Sequence, residues 1–312
     1  MENKIAIIFG VTGQAGSLLL DLLLSKGYFV YGAARRVSNP NLQRLQHNLP
    51  NKNFKLLSAD ITDTSSLVNI FAKIDSDEVE IYNCAAMSHV AISFEQPGLT
   101  WDVTAKGHLN LLETVRHFAK YKSLKVFFCG SSEMFGSNVD GDDFQRETTT
   151  FTPNSPYATA KLAAFNLNKI YREAYGINTR AGIIFNMESS RRGENFVTRK
   201  ITKYFGQLYN NPFLPKLSLG NITASRDWTH CSDSVKAMWM TMQAPPKDYV
   251  IASGEVHTVY DFMKKCYEFI KDKVEIPLKP LEELYEIDPL FYRPLEVQYL
   301  AGDASLIKKD LG

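Results

Sequence analysis

The chain of 312 residues predicts an α/β fold, a doubly wound parallel sheet of Rossmann type with a smaller α/β carboxyl-terminal lobe. Three observations carry that reading. Apolar runs of strand length alternate with longer segments of helical period as far as residue 185. The first run ends in a glycine turn that opens a helix, and beyond residue 186 the strands shorten and turn residues multiply.

The first strand is Lys4 to Phe9, apolar almost throughout, as expected where both faces are covered. It leads into Gly10-Val11-Thr12-Gly13-Gln14-Ala15-Gly16 and a helical pattern from Ser17 to Lys26. Glycines permit a tight turn and close backbone approach, and the helix amino terminus offers unpaired N–H groups to a pyrophosphate. Gly10, Thr12, Gly13, Gln14 and Gly16 are therefore candidate cofactor-binding residues, although the spacing is Gly-x-x-Gly-x-x-Gly and not the commoner Gly-x-Gly-x-x-Gly.

A second strand over 28–34 ends in Arg35-Arg36, where an NAD enzyme would place a carboxylate on the ribose. Two guanidiniums there suit a 2′-phosphate and point to NADP; two arginines on a solvated loop are the alternative. A third strand, 54–58, precedes Asp60 and Ile61, with Asp60 placed either to meet the adenine edge or to cap a helix. A fourth, 79–82, runs into Asn83-Cys84-Ala85-Ala86, a small-residue loop that lets a cofactor pass beside Ala85. Helical segments are expected near 64–75 and 100–119.

The run 124–129 reads as a buried strand, which puts Ser131 and Glu133 at its carboxyl end, the edge where open α/β sheets bind ligands. Pro156 then opens a helix carrying Tyr157 and Lys161, four residues apart and so on one face. An ammonium close to a phenol favours the phenolate, so the pair reads as a proton-transfer device. Tyr-x-x-x-Lys alone occurs by chance in many helices; its weight here comes from the dinucleotide site upstream.

A strand over 179–185 ends at Asn186, followed by Arg191, Arg192, Arg199 and Lys200 within ten positions. They form either a solvated cluster or a clamp for a nucleoside diphosphate. Arg226 and Arg293 stand beside aromatic residues in the last third. The division expected is a lobe of residues 1–185 that binds NADP and carries the catalytic groups, and a mainly substrate-binding lobe of 186–312, with segments free to interleave.

Composition narrows the function classes. Thirty-five basic residues against thirty-four acidic give a net charge of +1 without a long run of either sign, which leaves no electrostatic footprint for nucleic acid or an anionic membrane. Cys84, Cys129, Cys231 and Cys266 have neither paired nor metal-type spacing, and the six histidines show none, so reduced thiols, no metal and a cytoplasmic location are expected. The longest apolar stretch, Leu18 to Leu24, is broken by Asp21, and Met1 to Lys4 lacks the features of a signal peptide.

The glycine loop, the Ser-x-Glu cluster and the Tyr-x-x-x-Lys helix together resemble the extended short-chain dehydrogenase/reductase superfamily. Ile184-Phe185-Asn186, Glu188-Ser189, the run Arg191 to Ile201, Arg226-Asp227-Trp228, Arg293-Pro294-Leu295-Glu296-Val297 and Ser88 to Glu95 are similar to the GDP-mannose 4,6-dehydratase family within it, over nearly the whole chain. The resemblance implies Ser131, Glu133, Tyr157 and Lys161 as catalytic residues. It also implies Ser88, Asn186, Lys200, Arg226, Arg293 and Glu296 as substrate-binding residues, GDP-mannose or a related sugar nucleotide as substrate, and a homodimer or homotetramer. The chain departs from the family pattern at Ala15, Met87, Met187 and Ser131, where Asp, Gln, His and often Thr are usual, and it is shorter between Arg44 and Phe54. The rival readings are a dehydratase of another sugar nucleotide such as a GDP-heptose, a decarboxylase or epimerase of the same superfamily, and a catalytically silent dinucleotide-binding regulator.

Overall fold

The computed structural model describes residues 4–38 and 41–312. Its main sheet has seven parallel strands, which in chain order are β1 (Ile5–Phe9), β2 (Phe29–Ala34), β3 (Phe54–Ser58), β4 (Glu78–Asn83), β5 (Ser123–Cys129), β6 (Asn178–Ile184) and, far downstream, Tyr249–Ile251. Across the sheet the order is Tyr249–Ile251, β6, β5, β4, β1, β2, β3, so the chain winds outward from β1 in one direction and then from β4 in the other. The crevice between β1 and β4 is the switch point where ligands of such sheets bind. The expected strands match to within a residue at each end. Ala6, Ile7, Ile8, Ile81, Val126 and Phe127 have no exposed surface, because helices cover both faces of the sheet.

Those helices are α1 (Gln14–Ser25), α2 (Thr64–Ala72), α3 (Val90–Glu95), α4 (Pro97–Trp101), α5 (Gly107–Phe118) and α6 (Pro156–Tyr175). A π-helical turn, Asp102–Lys106, joins α4 to α5, so the helical stretch expected over 100–119 is continuous but changes pitch midway. Residues after 185 serve both lobes. Three short strands, β7 (Asn186–Glu188), β8 (Leu217–Leu219) and β9 (Ser225–His230), come before Tyr249–Ile251, now β10, and β11 (Val256–Thr258) and β12 (Tyr285–Ile287) come after it. Strand β9 pairs parallel with β7 and antiparallel with β11, giving a mixed sheet, while β8 pairs with β12. Helix α7 (Val197–Leu208) packs on α9 (Val259–Ile270) around Ile201, Phe205, Leu208 and Met263, a core separate from that of the large sheet. Helix α8 (Cys231–Gln243) returns to α1, burying Val235, Met238 and Met242 beside Leu19, Leu20 and Leu23. The two segments thus interleave.

Polar anchors fix the returns. Arg172 of α6 grips Asp248 through both carboxylate oxygens, at 2.9 and 2.7 Å, and Asp248 accepts the Ala181 N–H at 2.7 Å, which docks β10 on β6. Asp227, fully buried, accepts from Ser253 N and Oγ and from Gly254 N and Gly302 N. It anchors the turn after β10. No helix among the described residues is long and apolar enough to cross a membrane. Replacing Asp227→Asn turns an acceptor of four donors into a group that presents its own N–H₂ to some of them; a loss on the order of 2 kcal/mol is expected. Denaturant unfolding checks this, and an unchanged midpoint would remove Asp227 from the framework.

Candidate active site

Strand β1 runs into Gly10, whose φ of +77° only glycine adopts at ease, and a Cβ built there would come within 2.9 Å of the Ala85 nitrogen and the Cys84 carbonyl carbon. At Gly16 a Cβ would come within 2.3 Å of the Gly10 oxygen. The loop is therefore drawn flat against the end of β4. Gly13, the N-cap of α1, has no side chain to bond the first turn, so those N–H groups remain available to an anion. The loop is braced from three sides. Arg44 donates to the Thr12 carbonyl at 3.2 Å and the Arg191 carbonyl at 2.8 Å, and Gln14 donates to the Met187 carbonyl at 2.9 Å while accepting from Ser189 Oγ at 2.7 Å. One buried nitrogen of this region, Arg191 Nη1, has no hydrogen-bond partner, and an anionic group at the loop would supply one, whereas Arg192 Nε already stands 3.3 Å from Glu188 Oε2. The residues present fit a dinucleotide.

Of the other residues singled out for the cofactor, Arg35 and Arg36 are exposed at the end of β2. Asp60 Oδ1 bonds Thr62 N and Oγ1 at 2.9 and 2.7 Å, a local turn, while the helix cap is Asp63. Ile61 is buried against Gly107, and Ala85 is tied to Asn83 Oδ1 at 3.1 Å. Behind Ala85 lies a network that sequence reasoning missed. Asn83 donates to His108 Nδ1 at 3.0 Å, and His108 Nε2 donates to Asn168 Oδ1 at 3.3 Å. Burial holds His108 down to about 3, so it stays neutral and pins the loop to α5 and α6.

The four proposed catalytic side chains converge in a nearly dry place: Ser131, Glu133 and Tyr157 are each 8% exposed and Lys161 is 3%. Ser131 caps a single 3₁₀ turn, Ser132–Phe135, by accepting the Glu133 N–H at 3.3 Å, which places the Glu133 side chain at the carboxyl edge of β5. Ser155 caps α6 through the Ala158 N–H at 3.0 Å, with Pro156 at the first helical position as expected, so Tyr157 and Lys161 project from the first turns.

One expectation needs correction. Lys161 does not lower Tyr157 in this structure: its Nζ donates to the Cys129 carbonyl at 2.6 Å and lies 5.8 Å from the centre of the Tyr157 ring. Burial pushes Tyr157 up to about 12, the Glu133 charge adds to that, and the Ser131 hydroxyl and Arg192 only partly oppose it. The phenol is protonated at neutral pH before ligands arrive. Burial also lowers Lys161 itself.

The second lobe brings its charges to the same place. Arg293 Nη1 lies 3.5 Å from Glu133 Oε1 and 3.2 Å from Glu296 Oε1, and Arg226 Nη2 donates to that Glu296 oxygen at 2.9 Å. Glu296 thereby orients two arginines. Burial lowers Arg226, with Glu133 and Glu296 pulling it back up. Lys200 donates to the Ser218 carbonyl at 2.7 Å and sits 3.5 Å over the Phe291 ring. Asn186 opens β7, and Ser88 is exposed on the loop before α3. Met187 and Met87, which replace polar residues of the resembled family, pack into the apolar clusters on either side of the sheet, Met187 Sδ lying 3.8 Å from Cys231 Sγ.

The model of a family described as GDP-mannose 4,6 dehydratase matches residues 7–312. GDP-mannose 4,6 dehydratase 1 of Arabidopsis thaliana is 48% identical over 323 residues, covering 99% of this chain and 85% of the relative. The human GDP-mannose 4,6 dehydratase is 41% identical over 326 residues, covering 99% and 86%. Among solved structures, dTDP-glucose 4,6-dehydratase of Streptomyces venezuelae with NAD bound superposes with a TM-score of 0.83 at 19% identity, over 99% of this chain and 91% of that one. UDP-glucose 4-epimerase of Thermus thermophilus, also with NAD, gives 0.80 at 20%, over 98% and 92%. These two share the fold.

Alkaline ultraviolet titration checks the state of the tyrosine. The difference between the protein and its Tyr157→Phe variant should titrate near pH 12, above the ordinary value of 10.0; a difference centred at or below the ordinary value would contradict the burial argument.

Proposed function

The chain belongs to the GDP-mannose 4,6-dehydratase family, and from that membership we propose that it removes water from GDP-mannose to give GDP-4-dehydro-6-deoxy-D-mannose, with NADP as cofactor. The observation that carries this reading is the buried meeting of Ser131, Glu133, Tyr157 and Lys161 with the arginine pair of the second lobe.

The chemistry needs a base, a shuttle and a clamp. A nicotinamide dinucleotide, when bound, supplies a hydride acceptor that takes hydrogen from C4 of the hexose and returns it at C6. Tyr157 takes the proton of the C4 hydroxyl. The phenol must first be deprotonated, and the positive charges that enter or order there on ligand binding lower the cost. Ser131 hydrogen-bonds the C4 oxygen as its charge develops. Once C4 is a ketone, the C5 hydrogen is acidic. Glu133 removes it and gives the proton to the departing C6 hydroxyl, which leaves as water, and a proton returns to C5 in the final step. Arg293 leans on Glu133 in the free protein, and a diphosphate drawing Arg293 and Arg226 toward itself would release that carboxylate to act as a base. Ser88, Asn186, Lys200 and Glu296 complete the proposed substrate site.

NADP is inferred from Arg35 and Arg36, two exposed guanidiniums at the end of β2 with room for a 2′-phosphate. Gly10, Thr12, Gly13, Gln14, Gly16, Asp60, Ile61 and Ala85 belong to the same proposed site. Association as a homodimer or homotetramer and a cytoplasmic location complete the reading; four free cysteines suit a reducing compartment.

Two tests follow from the roles assigned. With GDP-mannose and NADP, Glu133→Gln should hold the rate of water loss at least about a hundredfold below that of the unaltered protein, as expected for removal of an acid–base group, and unimpaired water loss would take Glu133 out of the mechanism. Arg36→Glu should raise the dissociation constant for NADP by about tenfold or more through loss of a charge-assisted pair while leaving that for NAD nearly unchanged. Equal effects on both would remove the 2′-phosphate from its neighbourhood.

A further inference from the structure

Cys84 directly follows β4 and Cys129 ends β5, its neighbour on the side away from the switch point. Asn83 of β4 pairs in parallel register with Phe128 of β5, so the next two residues are lateral neighbours whose side chains point to the same face. Strands so paired run ~4.8 Å apart, within the ~4.4–6.8 Å between Cα atoms that a disulfide spans. The two Sγ atoms stand 3.6 Å apart in a shared hydrogen bond, and both thiols are free. Cys129 belongs to the apolar cluster between the sheet and α8, with Cys84 packed against it.

We propose that Cys84 and Cys129 form a redox-active dithiol that small hydroperoxides close to a disulfide, and that closure slows the enzyme by distorting both walls of its site. Cys129 Sγ donates to Cys84 Sγ, and the Lys161 ammonium, on the Cys129 carbonyl at 2.6 Å, is a cation beside Cys129 that favours its thiolate. Cys129 is therefore the attacking sulfur. Its thiolate displaces hydroxide from the peroxide O–O bond and becomes a sulfenic acid, the hydroxide leaving as water with a proton. The Cys84 sulfur, giving up its proton, then displaces the sulfenic hydroxyl as a second water. Two thiols and one hydrogen peroxide become one disulfide and two waters; each sulfur loses an electron and each peroxide oxygen gains one.

Closure is felt on both sides. The carbonyl of Cys129 holds Lys161 Nζ at 2.6 Å, and the backbone of Cys84 and Ala85 is the surface that Gly10 approaches too closely for a Cβ. An S–S bond of about 2.05 Å requires the sulfurs to approach by about 1.5 Å from their 3.6 Å separation. Shifts of about 1 Å in positioning groups cost as much as a hundredfold in rate.

The test is hydrogen peroxide treatment of the whole protein, alkylation of remaining thiols, and peptide mapping without reduction. The expected result is a Cys84–Cys129 linked peptide pair lighter by two hydrogens, with Cys231 and Cys266 alkylated, and turnover at least about tenfold slower until dithiothreitol restores it. Recovery of all four thiols in alkylated form, a linkage between other cysteines, or a Cys84–Cys129 disulfide with undiminished turnover would each overturn the proposal. The Cys84→Ser variant should form no linked pair and should carry the oxidised Cys129 as a sulfenic or sulfinic acid, whereas Cys266→Ser, altered in the separate core of the second lobe, should form the pair as the unaltered protein does. Mapping of the unaltered protein decides the matter if Cys84→Ser does not fold. The turnover arm rests on the proposed reaction, but the mapping does not; an untreated protein inactive on GDP-mannose counts against that reaction and leaves the disulfide to be decided by mapping.

Discussion

No side chain fits between the end of β1 and the end of β4. A Cβ on Gly10 would lie 2.9 Å from the backbone of Cys84 and Ala85, and one on Gly16 would lie 2.3 Å from the Gly10 carbonyl. This close approach sets the height of the cofactor floor and turns the uncapped start of α1 toward it. On the other side of β4, β5 pairs with it in parallel register, so that the chain leaving β5 meets the same edge of the sheet with Ser131 and Glu133. The Asn83–His108–Asn168 relay then fixes the floor to the two helices behind it, one of which carries Tyr157 and Lys161. Cofactor loop and proton-transfer groups are parts of one rigid construction.

The second constraint is electrostatic. A carboxylate, a phenol and a lysine are held where little water reaches, and burial works against every charge there. The resting structure resolves this by keeping the phenol protonated, setting Lys161 on a backbone carbonyl and laying Arg293 against Glu133. In the proposed reaction a cation near Tyr157 would ease loss of its proton, and a diphosphate near Arg226 and Arg293 would draw Arg293 off Glu133. The ground state is thus poised for ligands of those charges and is quiet without them.

Much of this was legible in the chain itself. Continuous apolar runs gave the six first strands of the sheet, because strands covered on both faces need no alternation, and Pro156 after Ser155 marked the start of α6. The four catalytic candidates could be placed because two lie just past a strand and two share a helix face. What the sequence left hidden depended on contacts distant along the chain. The seventh strand, Tyr249–Ile251, is three residues long, with nothing to distinguish it from the short strands of the second lobe. The structural part played by Asp227 depends on four donors from 253, 254 and 302, which no local pattern announces. Spacing on a helix put Lys161 near Tyr157 but could not say that its ammonium would be taken by the Cys129 carbonyl, and the raised tyrosine follows from burial that a linear chain does not display. Likewise Cys84 and Cys129, distant in sequence, are neighbours only through strand register.

The central claim is that one site oxidises, eliminates and reduces without exchanging its hydrogen with the solvent, and GDP-mannose deuterated at C4 tests it most directly. Incubated with the protein and NADP in ordinary water, it should lose one water and keep the deuterium, found by magnetic resonance in the new C6 methyl group, with no build-up of reduced cofactor. Deuterium washed into solvent, or reduced cofactor accumulating in step with product, would contradict the account.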